Sequence, residues 1–384
     1  MTLDRQRIVI TGVGVVSPLG NSVGELFARL RQGETAIRDW PDLAEGGFRV
    51  ARAARVADFA GEPLRRGRSM ALFAAEAAVR NAGVAPPAET QVFVGSTLGE
   101  SYAFERAAEG AEVLELRDYG VGSFGQAIRA RFGLSGAVHA AATACAAGND
   151  ALGAALDALR HDRAPLALAG GVEPFSRLAL VGFSRSRAMA ADSCKPFDQA
   201  RSGMTLGEGA AVFVLERAER ALARGARPLA ELVSIGLSCD AHHPTAPEPE
   251  GRGMLGAMRH ALAAASLEAR AIDWVNVHGS GTRVSDAAEA NALKQLFGSN
   301  LPHASGSKGA LGHGLGAASA LEAAICVQAL LTQTVPPTVG HSAPDAAGIA
   351  CTLRPTPAHL RYVLNNAFAF GGLNSSLLLR TWPA

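Results

Sequence analysis

Short apolar runs alternate with amphipathic stretches along almost the whole chain. Apolar runs of strand length predict buried strands at residues 7–16, 91–97, 138–143, 166–173, 210–216, 229–238, 273–279, 360–366 and 375–380. Stretches with apolar residues at helical spacing predict helices at residues 64–80, 125–134, 149–161, 253–265, 286–297 and 317–331. Strands that alternate with helices in this way indicate an α/β fold with buried sheets.

The composition is typical of a globular protein with a large core. The 384 residues are 48% hydrophobic and 18% charged, and the net charge of +1 gives no global basic field for nucleic acid. Glycine is frequent, at 43 residues, and aromatic residues make up only 5%, which favours tight turns and close packing of small side chains. The length suits two ordinary domains or one duplicated fold, and a midpoint near residue 225 fits the pattern without demonstrating a duplication.

The cysteines and the first residues bear on the cellular compartment. The five cysteines are odd in number, widely spaced and without a CxxC pair, so neither a disulfide framework nor a zinc site is expected. Residues 1–16 pass from charged residues straight into an apolar run, without the layout of a signal peptide. No uninterrupted apolar run reaches the roughly 18 residues that a membrane span needs. We therefore expect a cytoplasmic protein with no membrane segment and no bound metal.

Cys145 is the first candidate for chemistry. It lies in HAAATACAAGNDAL, residues 139–152, among some of the smallest side chains available. A predicted strand followed by a helix that starts near Cys145 places the thiol at a helix N-terminus, where the helix dipole favours the thiolate and lowers the pKa. The free N–H groups of such a terminus can also bind an oxyanion. From these residues alone, a buried structural thiol and a nucleophile both remain open.

Two later stretches add histidines and a lysine. VNVHGSGTRVSD places His278 at the end of a strand, where a hydrogen-bonded structural histidine is the simpler interpretation. SGSKGALGHGLGAASALEAA, residues 305–324, presents Lys308 and His313 in a glycine-rich turn that lacks the residue order of a phosphate-binding P-loop. A lysine in such apolar surroundings needs an anionic partner, and Glu322 is the nearest in sequence.

Together these side chains suit one reaction class. A thiolate can take an acyl group, and two imidazoles can stabilise charge on the carbonyl of a second substrate. A metal site is the weaker alternative, since no pair of ligands has zinc-finger or HExxH spacing. The pair His242–His243 lies in a proline-rich loop and is interpreted as loop structure before metal binding.

The same stretches resemble a known family. TACAAG, HGSGTRVSD, SKGALGHGLGAASALE and NNAFAFGGLNSS resemble the four signature stretches of β-ketoacyl-acyl-carrier-protein synthases, in the elongating branch with a Cys-His-His site. The resemblance runs from residues 7–21 through residues 195–216 to the C-terminus. It implies the thiolase fold: two similar halves, residues 1–225 and 226–384, in a five-layer α/β/α/β/α sandwich. It also implies decarboxylative Claisen condensation of an acyl group with malonyl-acyl-carrier protein.

The resemblance implies a role for each matching residue. Cys145 would carry the acyl group, while His278 and His313 would flank the malonyl carbonyl, promote the loss of CO₂ and stabilise the enolate. Lys308 would act electrostatically, paired with Glu322, rather than as the base.

Further roles concern the substrate and its arm. The backbone N–H groups of Cys145 and Phe370 would form the oxyanion hole, and Phe370 would also be the gate between the acyl and malonyl sides. Ser280 and Thr282, with Thr245, would hydrogen-bond the phosphopantetheine arm. That arm arrives on the carrier protein as part of the substrate, so no separate cofactor is expected.

The implied partners are an acyl carrier protein and a second subunit, either the same chain or a chain-length factor. Arg65, Arg66 and Arg68 begin a predicted amphipathic helix and are either a solvated basic turn or a docking site for the acidic carrier. Charge pairing at such a rim mainly changes the association rate and its salt dependence.

Departures from the family pattern leave the pathway open. Arg283 stands where the family usually has proline, and Ala369 replaces the usual glycine before Phe370. The stretch from residue 95 to residue 145 is shorter than in typical fatty-acid elongation synthases. A degradative thiolase would need a second cysteine near the C-terminus, and NNAFAFGGLNSS contains none. An initiating synthase would have an asparagine in place of His313. A chain-length factor would lack Cys145. The remaining choice is between fatty-acid elongation and a specialised polyketide or polyene system whose catalytic subunit pairs with a chain-length factor.

Overall fold

The computed structural model describes residues 7–57, 59–345 and 348–383. The helices are α1 (Val23–Arg31), α2 (Pro41–Glu45), α3 (Arg66–Ala82), α4 (Ser101–Ala108), α5 (Leu116–Tyr119), α6 (Gly122–Arg131), α7 (Ala147–Arg160), α8 (Arg177–Arg185), α9 (Ala218–Ala223), α10 (Arg252–Ala264), α11 (Arg283–Phe297), α12 (Lys308–Leu311) and α13 (Ala318–Thr332). The strands are β1 (Ile8–Val16), β2 (Arg38–Asp39), β3 (Arg52–Ala53), β4 (Gln91–Gly95), β5 (Val138–Ala141), β6 (Leu166–Glu173), β7 (Gly209–Arg217), β8 (Ala230–Cys239), β9 (Trp274–Asn276), β10 (His303–Ser305), β11 (Thr334–Val335), β12 (Thr356–Pro357), β13 (Tyr362–Phe368) and β14 (Leu373–Thr381).

Each half of the chain contributes five strands that are arranged in the same way. The first half has the strand order β1-β7-β6-β4-β5 and the second the order β8-β14-β13-β9-β10, and the two halves share their pattern of parallel and antiparallel pairs. A short antiparallel pairing of β1 with β8, from Ile8 with Leu232 to Ile10 with Ala230, joins them into one ten-stranded sheet. The structure therefore demonstrates the duplication that the sequence left open.

The helices complete five layers. α7 and α13 pack against each other and against strands of both halves, so they form the central layer. α3 and α6 cover the outer face of the first half, and α10 and α11 lie on the outer side of the second. This α/β/α/β/α arrangement is the thiolase fold that the resemblance implied.

α13 is apolar over most of its circumference because both of its sides are covered. Residues 315–332 are long and apolar enough to cross a membrane, with a mean hydropathy of 1.6, but 83% of them are buried inside the protein. A helix that is hydrophobic all round and covered on every side is a core helix.

A buried polar network joins the halves at the central layer. The Asn149 side chain donates to the carbonyl of Asn365, and the Asn365 side chain donates back to Asn149 Oδ1 and to the carbonyl of Ser319. The Ser319 hydroxyl accepts from the backbone N–H of Asn149. Because each amide is satisfied, the network holds the start of α7 in a fixed place, directly after Cys145.

The predicted elements agree with the structure in their positions and differ at some ends. The strand predicted at 273–279 ends at Asn276, since Gly279 has φ +44° and turns the chain. α1 was not predicted, although Ser22 and Glu25 form the S-x-x-E pattern of a helix start and the Ser22 hydroxyl accepts from Glu25 N. The division at residue 225 stays a prediction and lies in the turn between α9 and β8; the outer limits, residues 1–6 and Ala384, lie outside the described residues.

Candidate active site

One cavity, of about 460 Å³, collects residues from both halves of the chain. Its wall includes these residues predicted from sequence: Cys145, Thr245, His278, Ser280, Thr282, His313 and Phe370. Lys308 and Glu322 are buried beside it, with 1% and 2% of their side chains exposed. The segments that carry the candidate chemistry therefore meet at one place, although they lie far apart in sequence.

Cys145 lies on a strained turn between β5 and α7. The 3₁₀ turn Ala144–Ala146 leads directly into α7, and Ala144 has φ +49°, a left-handed conformation that a bulky side chain would resist. Neither the backbone N–H of Cys145 nor that of Phe370 donates to a backbone carbonyl of the described residues, and that of Cys145 contacts its own thiol. Two such donors on the cavity wall fit the predicted oxyanion hole.

The protonation state of Cys145 differs from the sequence-based expectation. Burial raises the pKa of the thiol to about 12, and the positive charge of Lys308 opposes this only partly. The prediction that this pKa is lowered is therefore wrong, because burial is the largest contribution and raises it. Cys145 is therefore a neutral thiol at physiological pH.

The alkylation of Cys145 by iodoacetamide is expected to accelerate about tenfold per pH unit from roughly pH 7 to 9.5, since only the thiolate reacts. Peptide mass mapping would follow Cys145 separately from the exposed Cys239, and the Cys145→Ala protein would supply the background. A rate that levels off near the ordinary pKa of about 8.5 would contradict the buried-thiol description.

His278 follows β9 and is held by a buried carboxylate. The backbone N–H groups of His278 and Gly279 donate to the two oxygens of Glu289, at 2.8 and 2.9 Å. Burial, with further contributions from Lys308 and His313, holds the pKa of His278 well below its ordinary value. The ring is neutral at physiological pH, and its Nδ1 is buried and has no hydrogen-bond partner among the described residues.

His313 presents a defined tautomer. The backbone N–H of Leu315 donates to His313 Nδ1 at 3.1 Å, so the proton of the neutral ring is on Nε2. Burial, followed by the charge of Lys308, keeps the pKa of His313 well below its ordinary value. The rings of His278 and His313 lie 5.4 Å apart between centroids, at 74° to each other. Two neutral imidazoles thus line the same cavity, where both could donate a hydrogen bond to a developing oxyanion.

Lys308 and Glu322 form the ion pair that the sequence predicts. Lys308 Nζ lies 2.6 Å from Glu322 Oε1 and also donates to the carbonyl of His278 at 2.5 Å. The Ser307 hydroxyl donates to the same carboxylate oxygen. Burial raises the pKa of Glu322, while Lys308 lowers it, so the ammonium charge is compensated deep in the core. With two of its three N–H donors bound to these groups, the ammonium fits the predicted electrostatic role of Lys308.

The loop that carries Phe370, the predicted gate, is hydrogen-bonded to the segment that carries Thr245. Gly371 N donates to the carbonyl of Pro244, and Ala369 N donates to the carbonyl of Leu373, both at 2.8 Å. The Phe370 ring packs edge-on against Phe183, with centroids 5.6 Å apart. Phe183, on α8, was missed because no local pattern connects it with a residue 187 positions later.

The opposite wall carries the hydroxyls predicted to hold the pantetheine arm. Ser280 Oγ lies 2.9 Å from Thr282 Oγ1, and Asp286 accepts from Gly281 N at 3.1 Å. Two cavity residues on this rim, Arg187 and Arg283, were not assigned a binding role from the sequence. Both are exposed, and neither makes an ion pair within the described ranges.

The predicted docking arginines are largely engaged elsewhere. Arg66 binds Glu208 through two nitrogens, at 2.9 and 2.7 Å, and also donates to the carbonyl of Val56. Arg65 pairs with Glu62 and Asp118. The assignment of Arg66 to docking therefore does not fit the structure, because its guanidinium is already committed to a buried carboxylate. Arg68 makes no ion pair among the described residues and stays a prediction.

One histidine of the pair in the proline-rich loop, His243, supports the loop itself. His243 Nδ1 accepts from the backbone N–H groups of Thr245 and Ala246, both at 3.1 Å. Within residues 7–57, 59–345 and 348–383, no group of three or more His, Cys, Asp or Glu side chains is arranged to hold a metal ion.

Comparison with known proteins gives a consistent result. The model of the β-ketoacyl synthase N-terminal domain matches residues 5–221, and that of the C-terminal domain matches residues 229–342. Nodulation protein E of Rhizobium meliloti (strain 1021) is 35% identical over 98% of this chain and 100% of its own. The 3-oxoacyl-[acyl-carrier-protein] synthase 2 of Coxiella burnetii is 32% identical over 98% of this chain and 99% of its own.

Solved structures are similar over the same length. The ishigamide ketosynthase/chain length factor has a TM-score of 0.93 and 36% identity, over 99% of this chain and 100% of that chain. A type II polyketide synthase acyl-carrier protein in complex with its ketosynthase, AntDE:AntF, gives a TM-score of 0.88 and 26% identity, over 98% of this chain and 99% of that chain.

Proposed function

The chain belongs to the β-ketoacyl synthase family and is a ketosynthase, and we propose that Cys145, His278 and His313 carry its decarboxylative condensation. The observation that carries this proposal is their convergence on one cavity, with a buried thiol from the first half and two neutral imidazoles from the second. An acyl group would be held on Cys145 and joined to a malonyl group delivered by an acyl carrier protein.

In the first step the Cys145 sulfur attacks the carbonyl of an acyl thioester. The S–H proton passes to the departing pantetheine sulfur, so one thioester replaces another and no charge remains in the site. The backbone N–H groups of Cys145 and Phe370 would stabilise the tetrahedral oxyanion. Because the thiol is protonated at rest, attack and proton transfer are coupled.

In the second step malonyl thioester enters beside His278 and His313. Loss of CO₂ leaves its electron pair on the α-carbon, and the charge develops on the thioester oxygen as an enolate. The His313 Nε2–H and a ring N–H of His278 would donate to that oxygen, which suits neutral imidazoles rather than imidazolium ions. The carbanion then attacks the Cys145 thioester and the Cys145 sulfur leaves as a thiolate. A proton taken up from water restores the thiol, and the β-ketoacyl product remains on the carrier.

The carrier would dock at the cavity rim that holds Arg187 and Arg283. Both arginines line the cavity, are exposed and have no ion pair within the described residues, in contrast to Arg65 and Arg66. This replaces the predicted site at the start of α3, although Arg68 remains a candidate. The phosphopantetheine arm would pass Thr245, Ser280 and Thr282, and we propose no other cofactor.

Reversing both rim charges, in an Arg187→Glu, Arg283→Glu protein, is expected to raise the KM for carrier-bound substrates by on the order of tenfold. Free pantetheine thioesters should be turned over almost normally, since they carry no acidic carrier surface. Arg227→Glu is the matched control, because Arg227 is exposed and precedes β8 at the end away from the cavity. An equal loss with carrier-bound and free substrates would exclude this rim as the docking surface.

A second subunit would pair along β5. This strand is an edge of the sheet, bonded only to β4, and its residues His139 and Ala140 are exposed. Large apolar side chains are also exposed in the same half of the chain, among them Phe104 on α4 and Leu178 on α8. An exposed strand edge and exposed apolar side chains both favour a partner chain, either a second copy or a chain-length factor.

The specialised pathway is the finer alternative, and one observation favours it. The ishigamide ketosynthase/chain length factor is 36% identical to this chain, above the 32% of the 3-oxoacyl-[acyl-carrier-protein] synthase 2 of Coxiella burnetii. We therefore propose a catalytic subunit of a polyketide or polyene system over a primary fatty-acid enzyme, in the cytoplasm. Co-purification from its native cells would test this: a chain-length factor as the stable partner supports it, and a homodimer contradicts it.

A further inference from the structure

Glu173 is a buried carboxylate at the end of β6 for which the proposed reaction so far has no use. It is 0% exposed, and it makes no ion pair with any described side chain. Burial raises its pKa to about 7, and the groups that oppose this are hydrogen-bond donors rather than cations. Leaving a carboxylate in the core without a positive partner is costly, so its retention points to a task beyond packing.

The carboxylate binds two segments of the cavity wall at once. Oε1 accepts from the hydroxyl of Ser96 at 3.1 Å and from Leu98 N at 2.9 Å. Oε2 accepts from Thr97 N at 2.6 Å and from Gly316 N at 2.9 Å. The first three donors follow β4, whereas Gly316 lies in the 3₁₀ turn Leu315–Ala317, directly after His313. Glu173 thereby joins the two halves of the chain beside the reacting groups.

The turn that Glu173 holds is the one that sets the His313 tautomer. Leu315, the residue before Gly316, has φ +45°, and its N–H is the donor to His313 Nδ1. The space around this turn is tight, since a β-carbon on Gly316 would lie 2.6 Å from the Cα of Ser96. A left-handed non-glycine residue persists only where its surroundings hold it. The hydrogen bond from Gly316 N to Glu173 helps to keep Leu315 in this conformation.

We propose that Glu173 is a positioning residue, which holds the Leu315–Ala317 turn against the Ser96–Leu98 segment and so keeps the His313 proton on Nε2. This inference rests on the proposed role of His313 in malonyl decarboxylation. A turn that loosens lets Leu315 N leave Nδ1, and the imidazole can then place its proton on Nδ1 instead. Nε2 becomes an acceptor in that tautomer and no longer donates to the enolate oxygen.

Glu173→Gln is the test variant, because it preserves shape and removes one acceptor atom. If the amide NH₂ faces Thr97 N–H and Gly316 N–H, both of those hydrogen bonds are lost. If it faces the other side, the bond from Leu98 N–H is lost, while the Ser96 hydroxyl can accept from the amide. Glu216→Gln is the matched control: Glu216 is also 0% exposed, and it bonds Thr11 and Arg224 at the end of β7 away from the cavity. Both variants remove a buried charge, but only the first touches the turn after His313.

Three readouts distinguish positioning from mere stability. The kcat for CO₂ release from malonyl-pantetheine should fall by on the order of tenfold in Glu173→Gln at nearly unchanged KM, as expected when a transition-state donor is misplaced. Long-range ¹H–¹⁵N spectra of ¹⁵N-histidine protein should show His313 as the Nε2–H tautomer in the wild type and as a mixture in the variant, with His313→Asn for assignment. Glu216→Gln should lower the melting temperature without changing either property.

Glu173→Asp keeps the charge but shortens the side chain, so it should fall between wild type and Glu173→Gln, and it serves if the amide variant does not fold. Wild-type CO₂ release and a single Nε2–H tautomer in both Glu173 variants would overturn the inference. So would an equal loss of kcat in Glu216→Gln. A wild-type protein that releases no CO₂ would instead contradict the proposed function, which keeps the two failures apart.

Discussion

Cys145→Ala is expected to abolish condensation while CO₂ release from malonyl-carrier protein continues. The acyl step needs a nucleophile, and no other thiol lies on the cavity wall described here. In the proposed reaction decarboxylation depends on His278 and His313, whose neutral state comes mainly from burial rather than from Cys145. The expected loss of condensation exceeds about a thousandfold, as for a missing nucleophile in other covalent enzymes.

The measurement follows CO₂ from labelled malonyl-carrier protein and β-ketoacyl product in parallel, with circular dichroism to verify the fold. Cys326→Ala is the matched control, because Cys326 is fully buried on α13 and is absent from the cavity wall. It should keep both activities apart from any loss of stability. Loss of CO₂ release together with condensation in a folded Cys145→Ala protein would contradict the proposed separation of roles.

His313→Ala is expected to show the converse pattern. Acyl transfer to Cys145 should persist, since its oxyanion donors are backbone groups, while CO₂ release should fall by about 10²–10³, the usual cost of one oxyanion donor. His278→Ala should give a similar loss. His303→Ala is the control, since His303 is exposed on β10 and lies outside the cavity wall.

Intact-protein mass spectrometry measures the acylated fraction, and labelled CO₂ measures the second step. Normal CO₂ release in both histidine variants would show that the reaction does not depend on the imidazoles. Loss of acylation in His313→Ala, with the fold intact, would instead assign His313 to the first step.

The reacting groups could be predicted from the sequence because each lies in a distinctive local context. Cys145 is embedded in alanines, and Lys308 and Glu322 are the only close charges in an apolar stretch, so their pairing follows from the cost of burying a charge. The alternation of strands and helices likewise predicted an α/β fold with buried sheets, since periodicity depends on neighbouring residues, whereas the five layers were implied by the family resemblance.

What the sequence did not predict depends on distant contacts. Arg66 was interpreted as a surface cation, because nothing local shows that Glu208, 142 residues later, binds it. The role of Glu173 is equally hidden, since its four donors come from residues 96–98 and from Gly316. The pKa of Cys145 was predicted in the wrong direction. A helix start can be recognised from neighbouring residues, whereas the burial that raises this pKa depends on the whole fold.

The coupling of CO₂ loss to carbon–carbon bond formation in this cavity is tested most directly by the stoichiometry of one reaction. Purified protein, acylated on Cys145 and freed of excess acyl donor, is mixed with malonyl-carrier protein, and CO₂, β-ketoacyl-carrier protein and remaining acyl-enzyme are quantified together. One CO₂ and one β-ketoacyl product for each acyl group lost from Cys145 is the expected result. Acyl groups that leave Cys145 by hydrolysis or transfer, with no β-ketoacyl product, would contradict it.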